Sequence, residues 1–180
     1  HGNKKLPRRV VLCFVSCIVF LFGFSLEKAG AQAPTIGNAG ANGTIDCTAT
    51  PVFTAPTATD GCSAATVNLL SSTTTGNSCL RVFTQTWDAT DACGNHSETR
   101  TQTITAIDTH APTIGNAGAN ATIDCTATPV FAVPTAVDDC SGATVNLLSS
   151  TTTGNSCLRA FTRTWDATDA CGNHSATRTQ

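Results

Sequence analysis

The chain has 180 residues, of which 41% are hydrophobic and 12% charged, with ten Cys, no Met and a formal net charge of −2. This length accommodates one or two small domains and excludes a large enzyme. The charge offers no cationic surface of the kind that DNA and RNA require, which argues against nucleic-acid binding. Thr is abundant in residues 33–110. Because β-branched residues favour strands, we expect an all-β chain.

The first segment has the pattern of an export signal. Four Lys and Arg residues at positions 4–9 precede the apolar run Val10–Leu26, and small residues follow at 29–31. This pattern predicts a signal peptide over residues 1–31, cleaved after Ala31, and a secreted or cell-surface location with no membrane span in the mature chain. A retained membrane anchor is the alternative, although the apolar run is short for a bilayer. The mature chain keeps five Lys plus Arg against eleven Asp plus Glu, an acidic balance that suits cations better than anionic lipid.

An internal repeat of 78 residues organises the rest of the chain. The sequence APTIGNAGAN begins at Ala33 and again at Ala111, and 61 of 70 aligned residues are identical from there. This period predicts one small domain per copy, with module 1 at 32–110 and module 2 at 111–180. The second copy lacks a counterpart of Thr103–His110, TITAIDTH, which has the pattern of a strand. We therefore expect module 2 to lack its last strand and to expose a sheet edge, as a truncated piece of a longer array.

Within the first copy, alternation of apolar and polar residues predicts several short strands. They are Thr44–Asp46, Val52–Thr54, Ala65–Leu70, a strand through Phe83 to Ala89, and Arg100–Ile107. Turn signals such as Gly76-Asn77 and Gly94-Asn95 separate them. Strands at this spacing indicate a sandwich or barrel. Trp87 and its counterpart Trp165 fall in the apolar pattern and are predicted to be core residues rather than a sugar-binding platform.

Each copy carries four Cys at equal spacing, and an even number in a small exported domain predicts disulfides. They are Cys47, Cys62, Cys79 and Cys93, then Cys125, Cys140, Cys157 and Cys171. A zinc site is the competing interpretation, but no C-x-x-C pair occurs.

Geometry removes one of the three possible pairings within a copy. If residues 80–90 are extended, Cys79 and Cys93 lie some 40 Å or more apart, whereas a disulfide needs Cα atoms within about 7 Å. This excludes Cys79 with Cys93, and with it Cys47 with Cys62. Two pairings stay open: Cys47 with either Cys79 or Cys93, and Cys62 with the other.

Three runs in the chain resemble hyalin-repeat-like modules: WDATDACGNHS at Trp87–Ser97, APTATDGCS at Ala55–Ser63 and the linker IDTHAPT at Ile107–Thr113. Such modules are immunoglobulin-like β-sandwiches that occur in tandem in surface and adhesion proteins, including repeat proteins of gliding bacteria. The resemblance covers residues 33–180. It implies the pairs Cys47–Cys79 and Cys62–Cys93, with Cys125–Cys157 and Cys140–Cys171 in the second copy.

The sequence contains two candidate functional sites, one catalytic and one for a metal ion. Asp91, His96 and Ser97 are the residue types of a hydrolytic triad, but they surround a single turn that Asp91 can cap through its carboxylate. We therefore expect no catalytic residues.

A calcium site is the second candidate. If the modules stack end to end, linker Asp108 lies near the second-copy loops that carry Asp138, Asp139 and Asp169. Clustered carboxylates are hard oxygen ligands of the kind that Ca²⁺ prefers. No other cofactor is expected.

Together these patterns predict a non-enzymatic structural or adhesive repeat region of an exported cell-surface protein, acting as a stalk or adhesion array. Its ligand would be an extracellular polysaccharide or protein. The alternative is a polysaccharide-binding module that serves a separate catalytic domain.

Overall fold

The computed structural model describes residues 32–61 and 63–180. The predicted signal peptide at 1–31 lies outside the described residues. The described residues contain strands and no helix, which confirms the all-β prediction. Consequently, they include no helix that could cross a membrane.

Eleven strands occur in the described ranges. They are β1 (Thr35–Ile36), β2 (Gly43–Asp46), β3 (Ala58–Thr59), β4 (Thr66–Gly76), β5 (Leu80–Thr90), β6 (Arg100–Ile107), β7 (Thr113–Ile114), β8 (Ala136–Val137), β9 (Ala143–Gly154), β10 (Arg159–Asp169) and β11 (Arg178–Thr179).

Four sheets result from their pairing. The largest has the order β2-β6-β5-β4, and a three-stranded sheet has the order β11-β10-β9. β1 pairs with β3 and β7 with β8, each in a two-stranded antiparallel sheet. β2 runs parallel to β6, with Gly43 beside Ile104 and Asp46 beside Ile107. The long strands β9 and β10 are antiparallel, with an irregularity between Thr164 and Trp165.

The described chain forms two compact units that do not follow the repeat boundary. Unit 1 contains the described residues up to Asn42 together with those in Val52–Thr73 and Thr84–Thr103. Unit 2 consists of Gly43–Pro51, Thr74–Phe83 and Ile104–Gln180. Unit 2 therefore combines the whole second repeat with three short segments of the first.

Each unit has its own apolar core around a Trp. In unit 1, Trp87 packs with Ile36 and Ala89, and in unit 2 Trp165 packs with Ile114 and Ala167. Trp87 and Trp165 are 4% and 2% exposed, which confirms their prediction as core residues. A Phe ring packs against each indole in a T-shaped arrangement, with ring centroids 6.3 Å apart, and aromatic pairs favour this geometry.

Several strands differ from the predicted ones. Arg100–Ile107 is confirmed, whereas Val52–Thr54 forms no strand. β4 continues through the Ser- and Thr-rich residues to Gly76. This part of the strand is exposed and has no alternating apolar residues from which it could be predicted. Gly76 has a φ of 99°, and a Cβ there would collide with the carbonyl oxygen of Leu80. The predicted turn at Gly76 is therefore confirmed, and it is a turn that favours glycine.

Candidate functional site

Short polar turns hold several of the Cys residues. Asn77 accepts a hydrogen bond from the backbone amide of Cys79, at 2.9 Å. Asp138 and Asp169 accept from the amides of Cys140 and Cys171, at 2.9 and 2.8 Å. An Asp or Asn two residues before a Cys thus forms an Asx turn that fixes the backbone at the sulfur-bearing residue.

Two disulfides lie in unit 2, and each joins the first repeat to the second. Cys47 is bonded to Cys140 with a Cα–Cα distance of 6.0 Å. Cys79 is bonded to Cys171 with a Cα–Cα distance of 5.2 Å. Both distances lie in the ordinary range for disulfides. The bridges enclose overlapping segments, with sequence separations of 93 and 92.

The pairs Cys47–Cys79 and Cys140–Cys171, implied by the family resemblance, are not formed. The Cys47 amide donates to the Ile107 carbonyl, while the Asp108 amide donates to the Cys79 carbonyl on the other side of β6. Two strands that flank a third lie about 10 Å apart. Since a disulfide needs about 7 Å or less, β6 separates Cys47 from Cys79, and each reaches a loop of the second repeat instead.

The remaining four cysteines of the two repeats fall into two groups. Cys125 and Cys157, implied to pair with each other, are exposed free thiols. Cys62 lies outside the described residues, so the pair Cys62–Cys93 stays a prediction.

An ion pair adjoins the Cys47–Cys140 bridge. His110 Nε2 lies 2.8 Å from Asp46 Oδ2. The hydroxyl and then the amide of Thr48 donate to Asp46, and together with His110 they hold the pKa of this carboxyl below its usual range. Potential ligand atoms of Asp46, His110 and the two bridged Cys lie within 4.8 Å of one another. The sulfurs are committed to the disulfide, so only two donors remain for a metal.

Two of the four predicted calcium ligands come together beside the Cys79–Cys171 bridge. Asp108 and Asp169 are 5% and 6% exposed, and their ligand atoms lie within 4.8 Å of each other and of Cys171 Sγ. Backbone hydrogen bonds from Cys140 and Ser141 lower the pKa of Asp138, and the nearby charge of Asp169 opposes this shift. Neither Asp138 nor Asp139 belongs to the group of ligand atoms, and Asp139 is exposed.

Two carboxylate oxygens, one in this group and one on nearby Asp138, lack a hydrogen-bond donor among the described residues. Asp138 Oδ2 is buried and unpartnered. Asp108 Oδ1 accepts from the His110 amide, but its Oδ2 contacts Cys171 Sγ at 3.1 Å, and a disulfide sulfur carries no proton to donate. The carboxylate of Asp169, by contrast, is satisfied by Asn173 and the Cys171 amide. Buried anionic oxygens without donors are costly, and a cation would stabilise them.

The residues weighed as a triad do not assemble into one. Asp91 accepts hydrogen bonds from the amides of Cys93 and Asn95, both at 2.8 Å, which confirms that it caps the turn. The Asn95 side chain leads the interactions that lower the pKa of Asp91. The Ser97 hydroxyl accepts from the Ala89 amide and donates to the Glu98 carbonyl. His96 faces a different carboxylate.

That carboxylate, Asp88, belongs to a polar network that the sequence interpretation missed. Asp88 is 5% exposed and accepts from the Asn68 side chain at 2.9 Å, and it lies 2.7 Å from His96 Nδ1. The Asn68 hydrogen bond, followed by that of His96, lowers the pKa of Asp88. The second repeat carries the same arrangement in Asn146, Asp166 and His174. Its presence in both copies indicates a structural link between adjacent strands and a turn.

Unit 2 also contains an open groove of about 720 Å³. Its lining includes Ile123, Phe131, Leu158 and the two free thiols, Cys125 and Cys157. Ile123 is 42% exposed and Leu158 78% exposed. The groove lies where the first repeat has the second half of β6, next to β2.

Comparison of the chain with protein-family models, with curated proteins and with solved structures found no match. The interpretation of the chain therefore depends on its own geometry. Two bridges inside unit 2 that join one repeat to the other, and an open groove flanked by two thiols, are its distinguishing features.

Proposed function

We propose that the chain is a non-enzymatic, load-bearing repeat region of an exported cell-surface protein, serving as a stalk or adhesion array. In this proposal the repeats are immunoglobulin-like modules of the hyalin-repeat type. The observation that carries it is the pair of disulfides linking the first repeat to the second. Disulfides persist in oxidising compartments, which supports export and an extracellular location.

The bridges give the chain a mechanical property. When the chain is pulled from its ends, tension passes through the Cys47–Cys140 bond and bypasses the segment between these two residues, whose sequence separation is 93. At about 3.4 Å per residue, the bridge prevents about 300 Å of extension. The Cys79–Cys171 bridge prevents nearly the same extension, so either bridge protects the chain if the other is broken.

Force spectroscopy on single molecules tests this proposal. The oxidised chain should extend about 300 Å less than the reduced chain. The double variants Cys47→Ser/Cys140→Ser and Cys79→Ser/Cys171→Ser should each keep this difference, because one bridge suffices. A variant that lacks both bridges should extend as far as the reduced chain even without reductant. Equal extension of the oxidised and reduced wild-type chains would refute the load-bearing proposal.

A polysaccharide-binding module attached to a catalytic domain is the second candidate. Sugar binding would need exposed aromatic side chains for stacking, whereas Trp87 and Trp165 are core residues in their units. Retention of the chain on an insoluble polysaccharide column, abolished by substitutions on an exposed loop but not by reduction, would favour binding over load bearing.

We further propose that Ca²⁺ binds beside the Cys79–Cys171 bridge. The donor-free oxygen of Asp108 beside Asp169, and that of nearby Asp138, support this. These carboxylates supply fewer oxygens than the six to eight that Ca²⁺ takes, so water would complete the shell.

A thermal-melting titration separates this site from general charge screening. Ca²⁺ at about 100 times its Kd should stabilise the chain by about 2.7 kcal/mol. Asp108→Asn should remove the effect, whereas Asp139→Asn, at an exposed neighbouring acid, should keep it. An equal response of both variants would reject the site.

A further inference from the structure

We infer that the groove and its two flanking thiols form an acceptor site for a further repeat of the same kind. The incoming repeat would add a β-strand with the sequence pattern of Thr103–Ile107 to the groove. It would then bond its counterparts of Cys140 and Cys171 to Cys125 and Cys157. This inference rests on the proposed array function and names the partner that fills the groove.

The first repeat supplies the template for the strand. There, residues 104–107 of β6 lie in parallel register beside Gly43–Asp46. The inward side chains Ile104 and Ala106 are 5% and 2% exposed. The second repeat has the same neighbouring sequence at 121–125, changed only at its first residue. The apolar side chains that a strand would cover are therefore present and uncovered.

The groove also presents a backbone edge. β11 pairs with β10 at Thr164 and Trp165, and Gln180 exchanges two backbone hydrogen bonds with Arg163. In the described part of the chain, the earlier residues of β10, from Arg159 to Thr162, pair only with β9. An added strand in line with β11 would satisfy these backbone groups, as strand addition does in peptide recognition.

The thiols occupy positions whose first-repeat counterparts are bridged. Cys125 corresponds to Cys47 and Cys157 to Cys79, and both counterparts are bonded to cysteines in second-repeat loops. Arg159 donates to the Cys125 carbonyl at 3.0 Å, as Arg81 does to the Cys47 carbonyl at 2.8 Å. The local backbone contact is therefore already formed beside the groove.

A second copy of this chain is not the occupant. Its own β6 is paired in its sheet, and its Cys140 and Cys171 are already bonded. It therefore offers neither a free strand nor the two free sulfurs that the acceptor site requires.

Bond formation needs a low-molecular-weight disulfide as oxidant. The Cys125 thiolate attacks it, forming a mixed disulfide and releasing one small thiol. The thiolate of the incoming Cys then attacks the Cys125 sulfur and displaces the second small thiol. Two electrons pass to the oxidant for each protein disulfide formed, and Cys157 reacts in the same way.

The covalent step can be tested in the full chain extended after Gln180 by a copy of Thr103–Gln180, which is one period. A specific protease site placed after the appended TITAIDTH strand allows the added repeat to be cut away. After oxidation and cutting, the two fragments should stay joined on a non-reducing denaturing gel and separate on a reducing gel. Release of the fragment without reductant would overturn the inference. The variant Cys125→Ser/Cys157→Ser is the control that should release it.

The strand is tested separately with the unextended chain and the synthetic peptide TITAIDTH. Peptide at about nine times its Kd should occupy about 90% of the grooves and slow alkylation of Cys125 and Cys157 about tenfold. A peptide with Ile104→Asp and Ala106→Asp should give no protection. Equal effects of the two peptides, or a concentration-dependent dimer that the peptide does not disrupt, would overturn the choice of occupant. Force spectroscopy on the unextended chain would still report on the proposed function independently.

Discussion

Residues Gly43–Cys47 and Ala121–Cys125 have nearly the same sequence and different structures. The first segment forms β2, ends in a Cys that is 4% exposed and pairs with β6. The second forms no strand, and all five residues are exposed. They differ only in Gly43 against Ala121. The difference shows that a neighbouring strand, and not local propensity, makes this segment a strand.

The same contrast separates the cysteines. Cys47 and Cys79, on either side of β6, are bridged, whereas their counterparts Cys125 and Cys157 remain thiols. The largest effect is therefore expected from breaking a bridge. Cys79→Ser/Cys171→Ser should lower the free energy of unfolding by about 3–5 kcal/mol, given the length of the closed loop. Cys125→Ser/Cys157→Ser should change it by about 0.5 kcal/mol or less. Urea denaturation measures both, and similar losses would contradict the assignment of free and bridged cysteines.

Weakening β6 should make the first repeat resemble the second. Ile104 is 5% exposed, so Ile104→Ala should cost about 2–5 kcal/mol. Hydrogen exchange should accelerate at the amides of Thr44–Asp46, which lie beside β6. Unchanged exchange in this segment would show that β2 does not depend on its neighbour.

A matched pair of substitutions measures the packing difference directly. Ile45 is half-buried, whereas its counterpart Ile123 is 42% exposed. Ile45→Ala should cost about 1–2 kcal/mol, part of a full core deletion. Ile123→Ala should cost about 0.5 kcal/mol or less. If thermal melting gives equal losses, the groove is already filled in solution.

The smallest effect concerns acid titration. Thr48 lowers the pKa of Asp46 and Thr126 that of Asp124, and only Asp46 also has a His neighbour. Depressed carboxyl pKa values contribute stability above about pH 4, which is lost as the pH falls through the folded-state pKa values. His110→Ala should raise the pKa of Asp46 and leave that of Asp124 unchanged, as carboxyl NMR titration would show. A shift in both would mean that His110 acts through the fold rather than through the ion pair.

Local chemistry explains what the sequence could predict. The alternation through Trp87 and Ala89 identified a core strand, and the Asp91 turn followed from its residue types. Long-range choices could not be predicted in the same way. The pairing of Cys47 with Cys79, which the resemblance implied, is wrong. The spacing of the Cys residues does not reveal that β6 separates these two residues. The Asp88 network likewise depends on Asn68, 20 residues away on another strand.

Disulfide mapping of the oxidised chain tests the central claim most directly. A protease that cleaves before Asp separates Cys47, in 46–59, from Cys79, in 60–87. Mass spectrometry should find 46–59 joined to 139–165, and 60–87 joined to 169–180. Finding 46–59 joined to 60–87, and 139–165 joined to 169–180, would show that the bridges close within each repeat and would contradict the account.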